Sequence, residues 1–526
     1  MKIERAVWFF IVAITVVRLT LLATSDLEFD EAHYWMWSQR LEPAYFSKGP
    51  GVAFAIRAST MIFGNNEFGV RFFSPLLGAG TSLLLFYLGR RMFNAKTALW
   101  AVIGLNATPI FNIGSFVMTI DPLSLFFWVA AMFSFWRVVE TSPKFSWAWP
   151  LTGALIGLGF LCKYTNVFQV LSVIVILALI PKLRVEFRRP GFYLMLLIFA
   201  AFCVPPVRWN QQHAWVTIGH LKSRGGVAQS LGFHPLEFLA FIGEHFLPYS
   251  PLLFLGVAIA VIAVWKRAQQ QPRRLFLMWF GLPVFAFYAL LSLNKAAAPN
   301  WDALAFPGFA LLAVAYWQPH LEAKAAGRVL GGCAIGVGIL MSMFALDTDM
   351  LRSVGVEIRR RDPSDGWRGW KSATGALETF RVDFERQTEE KFFLIADERD
   401  RASEISFYLH EKRREGPGHP PCYIVESQDV VNQFSFWPRY DEFVERPQGA
   451  PPNSEEQTYT EEGGVNLFQG RSALYIQDAG RKNVPHNIQR GFSWSERVAR
   501  IDVHRSGRLI RSWDVYLCLH YRTLPL

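Results

Sequence analysis

The segment DLEFDEAHYWMWSQRLEPAYFSKGP, residues 26–50, follows directly after a first apolar run at residues 6–23. It contains an adjacent acid pair, Asp30 and Glu31, at the point where a membrane helix would leave the bilayer, and aromatic residues flank the pair. A charged side chain costs about 2.5–3.5 kcal/mol at the centre of a membrane helix, so acids this close to a bilayer indicate a function. The alternative is an ordinary solvated loop. The segment predicts a membrane protein with chemistry at the bilayer surface.

Composition divides the chain into two parts. The whole chain is 52% hydrophobic and only 18% charged, whereas soluble proteins carry about 25% charged residues. The deficit lies before residue 347, where apolar runs approach the roughly 20 residues that a membrane helix needs. We therefore expect a polytopic α-helical membrane domain over residues 1–346 and a soluble α/β domain over residues 347–526.

The apolar runs give a count of about eleven membrane spans. Their approximate limits are 6–23, 68–88, 97–114, 120–139, 147–163, 165–181, 191–207, 237–264, 274–293, 302–317 and 328–346. With this count, the loops rich in Lys and Arg all fall on one side, which the positive-inside rule makes cytoplasmic. The net charge of +10 is thus a topology signal and not a sign of nucleic-acid binding. We expect a bacterial inner-membrane protein whose acid pair and C-terminal domain face the periplasm.

The C-terminal part alternates strand and helix patterns. KFFLIADE (391–398) and SALYIQDA (472–479) are typical of buried strands, and RASEISFYLHEKRR (401–414) has helical spacing. This order predicts a small parallel or mixed sheet. Cys422 and Cys518 both lie here, and spacing does not decide whether they pair. No cysteine spacing is typical of a metal site, so no cofactor is assigned and a divalent cation is left open.

Several ionisable residues fall on the same predicted outer face as the acid pair. Lys48 precedes Gly49 and Pro50, and a lysine is a compact point charge suited to a phosphate. The alternative is an interfacial lysine that extends toward lipid headgroups. Arg71 begins the second span, where an arginine requires an anionic partner.

Two later turns carry further candidates. Asp121 begins the fourth span before Pro122, where simple N-capping explains it as well as a functional role does. Lys163 and Tyr164 lie between two spans, and a short polar turn is the alternative there.

The long outer loop 208–235 is rich in Gly, basic and aromatic residues and includes His220 and Arg224. We expect a mobile lid. His213 and His220 have no third ligand nearby, which argues against a metal site. The aromatic residues before Lys48, together with the apolar stretch 49–64, are expected to form interfacial helices at headgroup level.

These positions together resemble bacterial members of the protein O-mannosyltransferase superfamily. The resemblance covers about residues 1–346 and rests on Asp30-Glu31-x-x-Tyr34, SKGP (47–50), Arg71, Asp121-Pro122, Lys163-Tyr164 and APNW (298–301). Members have the GT-C fold, use polyprenyl-phosphate sugars, and include the lipid A aminoarabinose and galacturonic acid transferases. The resemblance implies transfer with inversion from an undecaprenyl- or dolichyl-phosphate donor to a lipid, glycan or protein acceptor.

The resemblance also implies roles for individual residues. Asp30 would be the catalytic base and Glu31 a supporting acid. Lys48 and Arg71 would hold the donor phosphate as it leaves. Beside these, we expect Lys163 at the donor phosphate and the following residues at the substrate: Tyr34, Asp121, Tyr164 and Asn300 of the quoted motifs, and His220 and Arg224 of the outer loop. In the aminoarabinose branch an acid precedes the lysine, whereas Ser47 does so here. This difference argues against an aminoarabinose or lipid A phosphate assignment and favours a generic sugar transferase of the superfamily, whose sugar and acceptor stay open.

A lipid-linked saccharide transporter, or flippase, is the main alternative. It predicts inverted repeats and ionisable residues near span midpoints, and the sequence shows neither. A binding or assembly protein anchored by its spans is a third possibility, for which about eleven spans are excessive.

Overall fold

The computed structural model describes residues 2–141, 146–226, 232–268, 271–353, 355, 362–412, 415–416, 418–425, 427, 429–441, 444–445, 458–459, 466–481 and 483–522. The chain divides into two compact units. The helical unit comprises Met1–Thr24 and Leu41–Ser364, and the sheet unit comprises Ser25–Arg40 and Asp365–Leu526. This division differs from the boundary expected after residue 346, because it falls after Ser364 and assigns the segment of the acid pair to the sheet unit.

Among the described residues, nineteen α-helices come before residue 365. They are α1 (Lys2–Leu21), α2 (Phe29–Ser38), α3 (Gly51–Phe63), α4 (Glu67–Arg71), α5 (Phe73–Met92), α6 (Ala95–Asn106), α7 (Pro109–Gly114), α8 (Ile120–Thr141), α9 (Ala148–Cys162), α10 (Phe168–Leu179), α11 (Pro190–Gln212), α12 (Val216–Arg224), α13 (Pro235–Glu244), α14 (Phe246–Tyr249), α15 (Pro251–Ala268), α16 (Pro272–Leu291), α17 (Phe306–Ala323), α18 (Ala325–Leu346) and α19 (Asp349–Ser353). All except α2 belong to the helical unit.

Five helical stretches among the described residues are long and apolar enough to cross a membrane. They are Glu67–Met92, Ile120–Thr141, Pro190–Gln212, Pro272–Leu291 and Ala325–Leu346. A sixth is added if the bent pair Tyr164–Leu179 and Pro181–Arg188 forms one span. The protein is therefore largely helical and membrane-spanning, and the count of eleven stays a prediction.

Two expected spans are interrupted at proline. The stretch 97–114 divides into α6 and α7 at Pro109, and the stretch 237–264 divides into α13, α14 and α15. Ser250, just before Pro251, has a positive φ of 64°. Proline lacks the N–H needed to continue a helix and disfavours helical geometry in the residue before it. Apolarity alone could not show these breaks.

The core of the helical unit is rich in aromatic side chains. Trp128 and Phe135 of α8 pack against Phe280 of α16, and Phe135 also contacts Trp149 of α9. Helices α9 and α11 approach closely at Gly153, where an added Cβ would lie 2.4 Å from the carbonyl oxygen of Met195. Small residues permit such approaches between membrane helices.

The sheet unit contains a five-stranded mixed sheet in the order β2-β1-β5-β7-β6. Its elements are α20 (Trp370–Thr388), β1 (Phe392–Ala396), α21 (Arg399–Tyr408), β2 (Tyr423–Ile424), β3 (Val444–Glu445), β4 (Thr458–Tyr459), β5 (Ser472–Asp478), α22 (His486–Gly491), β6 (Phe492–Arg505) and β7 (Arg508–Tyr521). Strand β1 is parallel to β2 and β5, and β7 is antiparallel to β5 and β6. Strands β3 and β4 form a separate antiparallel pair.

Strands β1 and β5 lie within the strands expected at 391–398 and 472–479. Helix α21 covers only the first part of the helix expected at 401–414, because it ends at Tyr408. The long β6–β7 hairpin was not expected, because most residues of β6 are exposed or half-exposed and β7 is buried at only some positions, so neither strand is a continuous apolar run. Cys422 and Cys518 are buried free thiols.

Candidate active site

The acid pair lies in the first turn of α2. The side chain of Glu28, the residue before the helix, accepts a hydrogen bond from the N–H of Asp30 at 2.9 Å. In return, the carboxylate of Glu31 accepts one from the N–H of Glu28 at 2.9 Å. This reciprocal arrangement is a capping box, which fixes the start of a helix. The structure thus explains Glu31 as a buried helix cap, and its role as a supporting acid stays a prediction.

Asp30 points to a different partner. Its Oδ1 accepts a hydrogen bond from Nη2 of Arg399 at 3.1 Å, and the two side chains are each 33% exposed. Arg399 is the first residue of α21 and also contacts the carboxylate of Asp400 through Nε at 3.1 Å. Among the described residues, Oδ2 of Asp30 has no hydrogen-bond partner. One oxygen of Asp30 is therefore fixed while the other can accept a proton.

Helix α2 packs along α21 within the sheet unit. Nδ1 of His33 lies 3.0 Å from the hydroxyl of Ser403, and the ring of Trp35 packs edge-on against Phe407. Tyr34 is buried against Trp37. These aromatic residues were expected at headgroup level, and the structure buries them in protein instead. The substrate-binding role of Tyr34 stays a prediction.

Burial perturbs the acids around this helix pair. It raises the pKa of Asp400 to about 6, with Arg399 acting in the opposite direction. It also raises the pKa of Glu28, to which Asp30 and Glu31 contribute further. Desolvation disfavours a charged carboxylate, and perturbed acids of this kind concentrate at functional sites.

The helical unit brings three of the expected site residues together. Nζ of Lys163, just after α9, donates to Oδ1 of Asp121 at 2.8 Å and to the carbonyl oxygen of Asn300 at 2.7 Å. The side-chain amide of Asn300 donates to Oδ2 of Asp121 at 3.1 Å. The side chain of Lys163 is 9% exposed and that of Asp121 28%. The result is a largely buried cation held between two acceptors.

Arg224 and Lys48 lie on segments that reach this cluster. The guanidinium of Arg224, at the end of α12, lies 5.3 Å from the ring centre of Trp301. The segment of Lys48 packs against the end of α9, because a Cβ added at Gly49 would lie 2.1 Å from the carbonyl oxygen of Leu161. Position 49 therefore requires glycine. Its contact, Leu161, is two residues before Lys163 in the chain.

Three other expected residues are in contact with the protein itself, in ways that do not indicate a ligand. Arg71 is fully buried; its Nη1 donates to the carbonyl oxygen of Leu22 at 2.9 Å. His220 packs on Phe46, with ring centres 4.9 Å apart. The hydroxyl of Tyr164 is buried without a hydrogen-bond partner among the described residues. Their donor and substrate roles stay predictions. Residues 227–231 of the expected lid lie outside the described residues.

A buried pair beside this cluster was not expected from the sequence. Nε2 of His245 lies 3.1 Å from both carboxylate oxygens of Asp302, and Nδ1 lies 2.6 Å from the carbonyl oxygen of Phe241. Nδ1 must carry a proton in order to donate to the carbonyl oxygen of Phe241, and a second proton must lie either on Nε2 or on the carboxyl group of Asp302. Nearby, the hydroxyl of Tyr249 donates to the carbonyl oxygen of Pro299 at 3.1 Å. Asp302 directly follows the APNW segment, and this position in the sequence could have indicated that Asp302 lies near the site.

Among the described residues, no three His, Cys, Asp or Glu side chains are grouped so that they could hold a metal ion.

Comparison with known proteins gives consistent matches. Residues 47–209 match the family model for dolichyl-phosphate-mannose-protein mannosyltransferases. The lipid A galacturonosyltransferase RgtD of Rhizobium johnstonii is 29% identical over 308 residues, which are 58% of this chain and 63% of that protein. The undecaprenyl phosphate-α-4-amino-4-deoxy-L-arabinose arabinosyl transferase 2 of Proteus mirabilis is 27% identical over 51% of this chain and 49% of its own. The chain thus spans about half to two thirds of the length of these relatives.

The fold also matches solved structures. ArnT from Cupriavidus metallidurans bound to undecaprenyl phosphate superposes with a TM-score of 0.59, at 16% identity over 97% of both chains. Its apo form gives 0.57, at 15% identity over 98% of both chains. The chain is therefore similar in sequence to protein mannosyltransferases and to lipid A sugar transferases, and it shares the fold of the two ArnT structures.

Proposed function

We propose that the protein is an inverting glycosyltransferase that moves a sugar from a polyprenyl-phosphate donor to a lipid A, glycan or protein acceptor. The observation that carries this proposal is the buried Lys163 cation, held by Asp121 and Asn300 on segments adjoining Arg224 and the Lys48 turn. The relatives are named as transferases that act on lipid A or use undecaprenyl-phosphate sugars. These names favour a transferase over the alternative flippase.

The cations of the helical unit suit a phosphate that leaves with negative charge. As the bond from the sugar to the donor phosphate breaks, charge accumulates on the phosphate oxygens. Fixed donors aimed at that position stabilise the transition state. Lys48, Lys163 and Arg224 are the proposed ligands. Arg71, the other cation expected at the phosphate, is fully buried and donates to the backbone carbonyl of Leu22, and its phosphate role stays a prediction.

Asp30 is the proposed base for a hydroxyl acceptor. The acceptor oxygen attacks the anomeric carbon, its proton passes to Asp30, and the polyprenyl phosphate leaves with the electrons of the broken C–O bond. This single displacement inverts the anomeric centre and needs no covalent enzyme intermediate. Arg399 is proposed as a positioning residue, because it binds one oxygen of Asp30 and leaves the other for the proton.

We further propose that about eleven spans place this chemistry and the sheet unit on the periplasmic face of the inner membrane. The side bearing the basic loops would then be cytoplasmic. The outer location suits a donor that arrives through the lipid.

Reconstituted protein tests the proposal. The purified chain is placed in liposomes with a galacturonosyl or aminoarabinosyl undecaprenyl-phosphate donor and lipid A, and products are read by mass spectrometry. We expect lipid A to gain the mass of one sugar residue. If no acceptor tested gains a sugar while the donor moves between leaflets, the flippase alternative holds and the proposal is wrong.

A further inference from the structure

A groove lies in the helical unit between the C-terminal end of α15, the start of α16 and the end of α17. Its volume is about 740 Å³. The side chains that define its character are Val261, Trp265, Lys266, Arg274, Tyr316 and His320. None of them belongs to the site described above.

The groove is at the far end of the helices that frame that site. Helix α15 starts two residues after Tyr249, whose hydroxyl bonds Pro299. Lys266 is fifteen residues further along the helix than Pro251, a rise of about 22 Å. In α17, His320 lies fourteen residues after Phe306, a rise of about 21 Å. The groove is therefore most of a bilayer thickness away from Asn300.

The groove combines cationic and apolar walls. Among the described residues, neither Lys266 nor Arg274 forms an ion pair with an acid. Nδ1 of His320 donates to the carbonyl oxygen of Tyr316 at 2.8 Å, which leaves Nε2 for another contact. Trp265 is 41% exposed and Ile262 is 75% exposed. A lining with cations at the helix ends and apolar side chains toward the helix middles matches an amphiphile with an anionic head.

We propose that this groove binds the phosphate headgroup of an anionic phospholipid from the cytoplasmic leaflet. Lys266 and Arg274 would contact the phosphate, and Val261 and Ile262 would contact an acyl chain. Basic pockets between membrane helices on the cytoplasmic side attract anionic headgroups, and that leaflet carries negative surface potential. The location at the helix ends favours a lipid over a soluble protein partner. The proposal does not depend on the sugar-transfer activity.

Lipid retention tests this proposal. The purified full chain is placed in phosphatidylcholine nanodiscs with or without phosphatidylglycerol, and bound lipid is counted by native mass spectrometry alongside the thermal midpoint. The Lys266→Gln/Arg274→Gln variant is compared with Lys182→Gln/Arg273→Gln, which removes the same charge from exposed residues expected on the same face. We expect the groove variant to bind phosphatidylglycerol roughly thirtyfold more weakly, and the control pair to behave as the wild type.

A Lys266→Arg/Arg274→Lys variant keeps both charges and should retain binding of phosphatidylglycerol. All variants should have the same thermal midpoint in pure phosphatidylcholine. Equal phosphatidylglycerol retention in the groove variant and the wild type overturns the proposal. Equal losses in the groove and control pairs would indicate a general charge effect and also overturn it. If soluble glycerol phosphate raises the thermal midpoint as much as phosphatidylglycerol does, the ligand of the groove is a free phosphate and the lipid proposal is wrong.

Discussion

At the residue scale, Asp30 and Glu31 are neighbours in sequence with different surroundings in the structure. Glu31 is fully buried in the capping box, whereas Asp30 is one-third exposed and bonded to Arg399. The sequence indicated that this acid pair was unusual, but it could not assign the roles. Arg399 is 369 residues away along the chain, and no local pattern links two such positions.

Substitution of Arg399 tests its positioning role. Arg399→Gln should lower kcat about 100-fold, because misplacing a reacting group by roughly 1 Å costs that much, while KM for the donor changes little. Arg399→Lys should restore part of kcat. The control is Arg386→Gln, which breaks the exposed pair with Asp383 in the same unit. A rise in KM with kcat unchanged would contradict the positioning role and indicate a binding role.

The raised pKa of Asp400 predicts a pH-dependent stability. Burial raises this pKa to about 6, above the ordinary value of about 3.9. The folded protein therefore holds this proton more tightly than the unfolded chain, so the contribution is full below about pH 4 and is lost as pH rises through about 6. The thermal midpoint of Asp400→Asn should therefore rise relative to that of the wild type as pH increases from about 4 to about 6. Parallel pH curves for the two proteins would contradict the raised pKa.

The Lys163–Asp121 pair should matter more for stability than exposed pairs do. Asp121→Asn should destabilise the protein by about 3 kcal/mol, because it leaves a largely buried ammonium without its charged partner. Glu322→Gln breaks an exposed ion pair with Lys96 and should destabilise the protein much less, because exposed ion pairs contribute little. Denaturant unfolding in detergent compares the two variants. Equal costs would show that the Lys163 pair is effectively solvated.

At the element scale, the existence of most helices followed from apolar runs, whereas their breaks and partners did not. The interruptions at Pro109 and Pro251 follow from proline geometry that a hydropathy count does not see. Helix α2 looked interfacial because of its aromatic residues. It is buried because α21 offers complementary rings, such as Phe407 against Trp35.

The contact between the Lys48 turn and α9 gives a test at this scale. Gly49→Ala should destabilise the protein by about 1–3 kcal/mol, because its Cβ would overlap the carbonyl of Leu161. It should also lower sugar transfer by moving Lys48. Gly104→Ala is the matched control, since an added Cβ there meets nothing within 4 Å. Stability and transfer equal to wild type in Gly49→Ala would contradict the close approach.

At the scale of the whole molecule, composition predicted an apolar N-terminal part and a sheet-containing C-terminal part. Composition could not show that residues 25–40 belong to the same compact unit as Asp365–Leu526, because it carries no information about contacts between residues far apart in the chain. In the sequence, Lys163, Asp121 and Asn300 belong to three separate motifs. In the structure, hydrogen bonds connect them. The pair of His245 and Asp302 could not be predicted, because each is a single polar residue beside an apolar stretch.

The proposed role of Asp30 as the base of a sugar transferase is tested by the rate of transfer at saturating donor. Asp30→Asn is compared with Asp383→Asn, which changes an exposed aspartate of α20 in the same unit. We expect Asp30→Asn to lose about 10²–10⁴-fold in rate, the usual contribution of a general base, and the control to change little. Transfer by Asp30→Asn at a rate close to that of the wild type would show that Asp30 is not the base.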